Sequence, residues 1–268
     1  MVSKSKRFFQ EIAALGGVLH WTDTGRYIAS IASNLPSIFR EKSLGQADES
    51  YRPERLTVKA FGQNFRLVNP GLSLVREIYG RRIYFPKPDW VPKAGDAIVD
   101  LGANVGLFSL LCAGLGANVV AVEAQSGFLP LAEGMLRENG CLHRVKLVHG
   151  IVGANTGCMA DPERRARSSH FGRIPPEMSM RQVLSLHSAE ELDFLKVDIE
   201  GSEFALFQGD TGWLARVRRI AMEVHPEFGD AKMIQRHLSE RGYHCWMIPS
   251  WRDDGEIRRF PAHCYAER

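Results

Sequence analysis

Three carboxylates surround one glycine in "FLKVDIEGSEF", residues 194–204, directly after an apolar run. Asp198, Glu200 and Glu203 would repel one another if packed together, and apolar strands rarely end this way by accident. A second run, "RIAMEVH", closes on Glu223 and His225, again two residues apart. Carboxylates beside an imidazole can take a proton from a hydroxyl group, and carboxylates alone can hold a hard divalent cation. Asp198 and Glu200 point to the same side if the chain stays extended, roughly 7 Å from Cα to Cα. Gly201 permits a tight turn, with Ser202 expected to cap the next helix. Glu203 then falls in that helix's first turn, where an acid has an ordinary electrostatic role.

A second constellation lies upstream in "AIVDLGANVGLFSL", residues 97–110. An apolar strand ends at Asp100, a glycine-rich turn follows, and a helix begins near Val105. Gly102 and Gly106 let the backbone approach a ligand where a Cβ would collide, and the new helix points its first amides at whatever sits there. The spacing D-x-G-x-N-x-G differs from the G-x-G-x-x-G of a dinucleotide loop, because Asn104 stands where a pyrophosphate needs the second glycine. The strand "VVAVE" ends in Glu123, 21 residues after Gly102. An acid there is placed to accept hydrogen bonds from both ribose hydroxyls. Acid, glycine turn and ribose acid together suit an adenosine carrying an amino-acid tail without phosphates, a description that S-adenosylmethionine meets. A purely structural strand–helix turn is the bland alternative, and the spacing of Glu123 counts against it.

These residues need a scaffold that brings strand ends together. Strands are expected at 97–101, 118–123, 145–149, 193–198, 219–224 and 244–249, with helical patterns between them. Several of those patterns close on Gly or Asn-Gly: "NVGLFSLLCAGLG", "LPLAEGMLRENG", "SEFALFQG" and "AKMIQRHLSERG". Such alternation predicts an α/β, doubly wound, mainly parallel sheet. Residues 1 to about 50 carry loosely helical patterns followed by the polar "GQADES". "RLTVKAFGQNFRLV" reads as a hairpin turning at Gly62-Gln63-Asn64. The organisation is therefore an N-terminal helical cap over the acceptor site at 1–54, a hairpin and connecting helix at 55–88, and the cofactor-binding domain at 89–268. The polar, Arg- and Pro-rich stretch from 153 to 180 breaks the rhythm and is expected to be a surface excursion.

The chain has 268 residues, 24% of them charged, with a net charge of +3. That balance is too weak to argue for nucleic acid by itself. Five cysteines, odd in number and without a C-x-x-C pair, read as reduced thiols of a cytoplasmic protein. The N-terminal apolar run is short and broken by Glu11, so it is read as a helix rather than a leader. Nothing approaches the roughly 20 continuous apolar residues of a membrane span.

With "VDLGANVGLFSL", "VVAVEAQ", "VHGIVGANTG", "MSMRQVL", "LDFLKVDIEGSEFALFQG" and "IAMEVHP", the stretch from about 66 to 225 resembles the FkbM family of S-adenosylmethionine-dependent methyltransferases. The first motif is shared by many methyltransferases, whereas the L-K-[IV]-D-[IV]-E-G-x-E block is far more particular to this family. The resemblance implies a class I methyltransferase fold, a seven-stranded sheet of order 3-2-1-4-5-7-6 with an antiparallel last strand supplied by "RFPAHCYAER". It also implies transfer of a methyl group to a hydroxyl of a natural product or sugar. The cofactor contacts are then Asp100, Gly102, Ala103, Asn104, Gly106, Glu123, Ala124 and Asp198.

In that strand order the two acidic strand exits are neighbours, so Asp198, Glu200, Glu223 and His225 converge. Asp198, Glu200 and His225 are the catalytic candidates. His225 is a natural base, yet neighbouring carboxylates raise its pKa; once protonated it can only orient, leaving Asp198 or Glu200 as base. A divalent cation on Asp198, Glu200 and Glu223 is possible but not favoured, so no metal ligand is assigned. A purely structural polar cluster is the third reading.

Base amino-methylases usually show an N/D-P-P-Y/F turn where this chain has D-I-E-G. The expected partner is therefore a small hydroxylated acceptor, with no nucleic acid and no membrane. A homodimer is compatible with the sequence, which says nothing else of oligomeric state. Methylation of a small amine, or a silent S-adenosylmethionine-binding module, are the alternatives. "ERRAR" with Arg173 reads as a solvated loop. Lys196 either steers a carboxylate or snorkels to the surface.

Overall fold

The computed structural model of the chain describes residues 4–41, 43–153, 175–248 and 262–268. Most of the expected 153–180 excursion, with "ERRAR", Cys158 and Arg173, lies outside the described residues, as does Trp251. Two compact units divide between Ile83 and Tyr84. No helix among the described residues is long and apolar enough to cross a membrane.

The first unit contains α1 (Lys4–Gly16), α2 (Trp21–Ser33), α3 (Leu35–Glu41), α4 (Gly45–Ser50) and the hairpin β1 (Arg55–Ala60) and β2 (Gln63–Val68). The short α5 (Leu72–Val75) then runs into a π-helical turn at Arg76–Arg81. The "GQADES" segment, expected as a polar break, is α4. Its composition is overridden by tertiary contacts: Ala47 is fully buried, and Asp48 pairs with Arg76 at 2.9 Å. Arg76 is itself buried and pairs with Glu11 at 2.5 Å, so two carboxylates compensate one desolvated guanidinium. The hairpin turns one residue earlier than its sequence suggests. Ala60 pairs with Gln63, and Phe61 and Gly62 both have positive φ, 50° and 78°, the requirement of a two-residue type I′ turn.

The second unit is the sheet that positions the candidate site. It contains β3 (Ala97–Leu101), α6 (Leu107–Gly114), β4 (Asn118–Glu123), α7 (Leu129–Glu138), β5 (Val145–His149) and α8 (Met180–Ser185). It continues with β6 (Phe194–Val197), β7 (Arg219–Val224), α9 (Ala231–Glu240), β8 (His244–Ile248) and β9 (Ala262–Glu267). Among the described residues, seven strands form one sheet of order β5-β4-β3-β6-β7-β9-β8. The first five in that order are parallel, and β9 runs antiparallel to both β7 and β8. Every residue of β3 and β6 is buried, as expected of central strands covered on both faces. Before β3, Trp90 anchors the chain to the sheet: its Nε1 donates to Glu267 at 2.8 Å, and its ring meets Phe194, Trp246 and Tyr265 edge-on.

The segment after β6 differs from its sequence reading. "SEFALF" forms a tight 3-10 helix, Ser202–Phe207, whose N-cap is Gly201 at φ 94°. Ser202 therefore sits inside the turn, buried, and Gly201 takes the N-cap position instead. The cause is Glu203: its carboxylate turns back to accept from the Gly201 amide at 2.8 Å, while Phe204, Leu206 and Phe207 are driven into the core.

Candidate active site

The parallel order carries the C-terminal ends of β3, β4, β6 and β7 to one edge of the sheet, where open α/β sheets bind ligands. β3 delivers Asp100, which is fully buried. Ser109 donates to its Oδ2 at 2.7 Å, and Lys196 from β6 lies 3.1 Å from its Oδ1. Asp100, expected in contact with the cofactor, is thus enclosed by protein, with the Ser109 hydroxyl on one oxygen and the Lys196 charge beside the other.

Gly102 and Gly106 are also read differently once the neighbours are seen. Gly102 has φ 75°, and a Cβ there would lie 1.8 Å from the carbonyl oxygen of Asp198; one on Gly106 would lie 2.8 Å from Ala132. These glycines admit the protein's own backbone and side chains, a closer constraint than the ligand approach expected from sequence. The amides of Gly102 and Ala103 both donate to the Val122 carbonyl, at 2.9 and 3.1 Å. This binds the turn to the end of β4.

Glu123 closes the same turn. One carboxylate oxygen accepts from the Asn104 amide and the other from the Gln125 amide, each at 2.7 Å. Burial pushes its pKa up, and the two amide bonds oppose that rise. An ionised carboxylate offers about four acceptor sites, so two remain for ribose hydroxyls. Asn104 takes φ 52°, with its side chain accepting from the Val105 amide at 2.7 Å. Ala124 contributes its carbonyl oxygen to His149 Nε2 at 3.1 Å. On these grounds the turn fits S-adenosylmethionine: Glu123 retains acceptor capacity for a ribose, and Gly106 caps α6 without any side-chain cap.

At the exits of β6 and β7, Asp198, Glu200 and His225 each present an atom within 4.8 Å of the others. They meet although the chain does not stay extended: β6 ends at Val197, and Glu200 adopts a left-handed φ of 53°. Glu223 is not in that group, although its charge reaches His225. Tyr84 donates to Asp198 Oδ2 at 3.0 Å, and Lys196 stands 3.6 Å from the same oxygen. Lys196 is buried rather than snorkelling, and donates to the Gly102 carbonyl at 2.7 Å. Burial works against its charge, but Asp100 and Asp198 outweigh that and raise its pKa.

His225 is buried, with Nδ1 3.1 Å from Glu203 and Nε2 3.6 Å from Glu200. Burial opposes its protonation, yet the hydrogen bond and charge of Glu203, aided by Glu223 and Glu200, push it up to about 9. It is therefore a cation at neutral pH and has no lone pair for an acceptor's proton. A metal ion competing for Nε2 would first have to displace that proton. Glu200 has a 73% exposed side chain, but surrounding protein atoms and the charge of Asp198 push its pKa up. Its contact with water limits that rise. Sequence reasoning missed Tyr84, Ser109 and the reach of Glu203. Tyr84 lies outside every motif, and Lys196 stands out as the one charged residue within the buried strand β6.

A mainly parallel sheet with an acid–glycine turn after β3, an acid closing β4 and an acidic exit after β6 is the arrangement expected of an S-adenosylmethionine-dependent methyltransferase. The chain belongs to the FkbM methyltransferase family, whose domain model matches residues 100–245. No curated protein matches it. Similar solved structures include an rRNA methylase from Streptococcus thermophilus, at 13% identity over 67% of this chain and 92% of that one, with a TM-score of 0.42. Others are the METTL16 methyltransferase domain, at 14% identity over 75% and 69% with a TM-score of 0.46, and a precorrin-6y C5,15-methyltransferase from Geobacter metallireducens, at 15% over 67% and 85% with a TM-score of 0.37.

The exclusion of nucleic acid is corrected here, because the similar structures include one named for rRNA. The missing N/D-P-P-Y/F turn bears only on amino groups of bases. It leaves the hydroxyl groups of a nucleic acid untouched as acceptors.

Proposed function

We propose that this methyltransferase transfers the methyl group to a hydroxyl oxygen, with a small molecule such as a natural product or sugar as acceptor. The observation that carries the reading is the convergence of Asp198, Glu200 and His225 within 4.8 Å, beside a turn whose Gly102 touches the Asp198 carbonyl. S-adenosylmethionine, when bound, supplies an electrophilic methyl group on a sulfonium.

The rest falls to this chain's residues. An alcohol is a poor nucleophile until its proton is drawn off, and a base with a raised pKa does this best near neutral pH. Glu200 has that raised pKa and is open to an incoming acceptor, so it takes the proton. His225, as a cation, donates from Nε2 and orients the acceptor oxygen. Asp198, tied by Tyr84 and Lys196, fixes the floor between acceptor and cofactor. Alignment of this kind supplies much of the rate of an in-line displacement.

The test is release of S-adenosylhomocysteine across a panel of hydroxylated small molecules, with small amines and a structured RNA in the same panel. Glu200→Gln should lower kcat by roughly 10²–10⁴ with little change in cofactor affinity. Turnover only on amines, or an unchanged kcat in Glu200→Gln, would overturn the reading.

A further inference from the structure

We infer that Glu203 is a positioning residue for the methyl-transfer site: it ties the two acidic strand exits together and holds the His225 ring with Nε2 turned to Glu200. The inference rests on the site reading above and deepens it. As a first-turn helix acid, Glu203 would face solvent; instead it is fully buried. An isolated buried carboxylate is costly unless hydrogen bonds compensate it. The compensation comes from two different elements. Gly201, after β6, donates its amide at 2.8 Å, and His225, after β7, donates its amide at 2.5 Å.

The same oxygen that takes the His225 amide lies 3.1 Å from Nδ1. An ionised carboxylate can only accept, so Nδ1 carries the proton whatever the charge of the ring. The other ring nitrogen then faces Glu200 at 3.6 Å. Gly201 makes room for this arrangement, because a Cβ there would lie 2.2 Å from the Phe228 ring. Phe228 is held in turn by its amide to the His225 carbonyl at 3.0 Å. The charged groups facing the imidazole are Glu203 and Glu200 from the β6 exit and Glu223 from β7. Asp198 shares its group of donors.

The wild-type protein provides the first test, by long-range proton–nitrogen correlation of the histidine rings. The expected result is a His225 ring protonated on both nitrogens at neutral pH, which on deprotonation near pH 9 keeps its proton on Nδ1. A neutral ring protonated on Nε2 would overturn the inference without any variant having to fold. Glu203→Gln is the second test: His225 should then titrate near the ordinary histidine value of about 6.5. The alkaline limb of kcat should move down with it, while KM for S-adenosylmethionine stays the same. A lowered melting temperature with His225 still titrating near its wild-type pH would mean packing alone, and would overturn the inference. The ring spectra report on Glu203 whether or not Glu200 is the base, whereas Glu200→Gln reports on the base alone.

Discussion

Raising the pH through 9 should weaken this fold by an amount that His225 sets. The ring is pushed up to about 9 in the folded chain from an ordinary value of about 6.5. At about 1.4 kcal/mol per pH unit, that difference corresponds to stabilisation on the order of 3 kcal/mol. The side chain is only 7% exposed, so water screens these interactions little. The sign follows from the raised pKa: the stabilisation is fully present below about pH 6.5 and is lost as pH rises through about 9.

The assay is urea unfolding at a series of pH values for the wild type and for His225→Asn. The second protein is needed because burial also raises the thiols of Cys245, to about 11, and Cys264, to about 12. Those thiols weaken the fold at alkaline pH in both proteins and cancel in the comparison. The advantage of wild type over variant should shrink by about 3 kcal/mol between pH 6.5 and pH values above 9. Parallel curves would refute the reasoning, because they would mean that Glu203 does not stabilise a charged ring.

Glu123→Ala should weaken S-adenosylmethionine binding by about 1.5–3 kcal/mol, the scale of a lost charged acceptor; unchanged affinity by calorimetry would remove the ribose assignment. Gly102→Ala puts a Cβ 1.8 Å from the Asp198 carbonyl at φ 75°. It should cost about 2–4 kcal/mol from left-handed strain and overpacking together, read as a lower unfolding midpoint. Chelation with EDTA should leave turnover intact, since proton removal is assigned to Glu200 rather than to a bound cation; loss of activity that Mg²⁺ restores would reverse that assignment.

The sheet was legible because its signal is redundant. Each central strand must be apolar on both faces, and each connection must be a helix, so runs such as "AIVDL" and "FLKV" leave few alternatives. The acidic exits and Glu123 stood out for a related reason: a carboxylate at the end of a buried strand needs partners, and the motif around it shows where they could come from. What was hidden depends on contacts distant in sequence. α4 forms because Asp48 meets Arg76, 28 residues away, and nothing in "GQADES" announces it. Glu203 matched the first turn of a helix so well that its partnership with His225, 22 residues on, had no local signature. Tyr84 reaches Asp198 across 114 positions, a contact that only the folded sheet creates.

The crowding of acids after β6 resolves into two groups, each built on one cation. Lys196 stands between Asp100 and Asp198, and His225 stands between Glu203 and Glu200. Each cation is buried, and each is shared by one buried carboxylate and one that is at least partly open. In both groups the buried acid is met by protein groups: Asp100 by the Ser109 hydroxyl and the Lys196 charge, Glu203 by two amides and a ring nitrogen. Repulsion among the acids is thereby offset without removing the negative balance, which suits the proposed approach of a sulfonium to this edge. The open members differ as well. Asp198 is 26% exposed and held by Tyr84, whereas Glu200 is 73% exposed and lies beyond hydrogen-bond reach of the ring beside it. A group that must accept a proton and release it to water on every turnover cannot be locked. That difference favours Glu200 as the base in the proposed reaction, with Asp198, Asp100 and Glu203 as the frame around it.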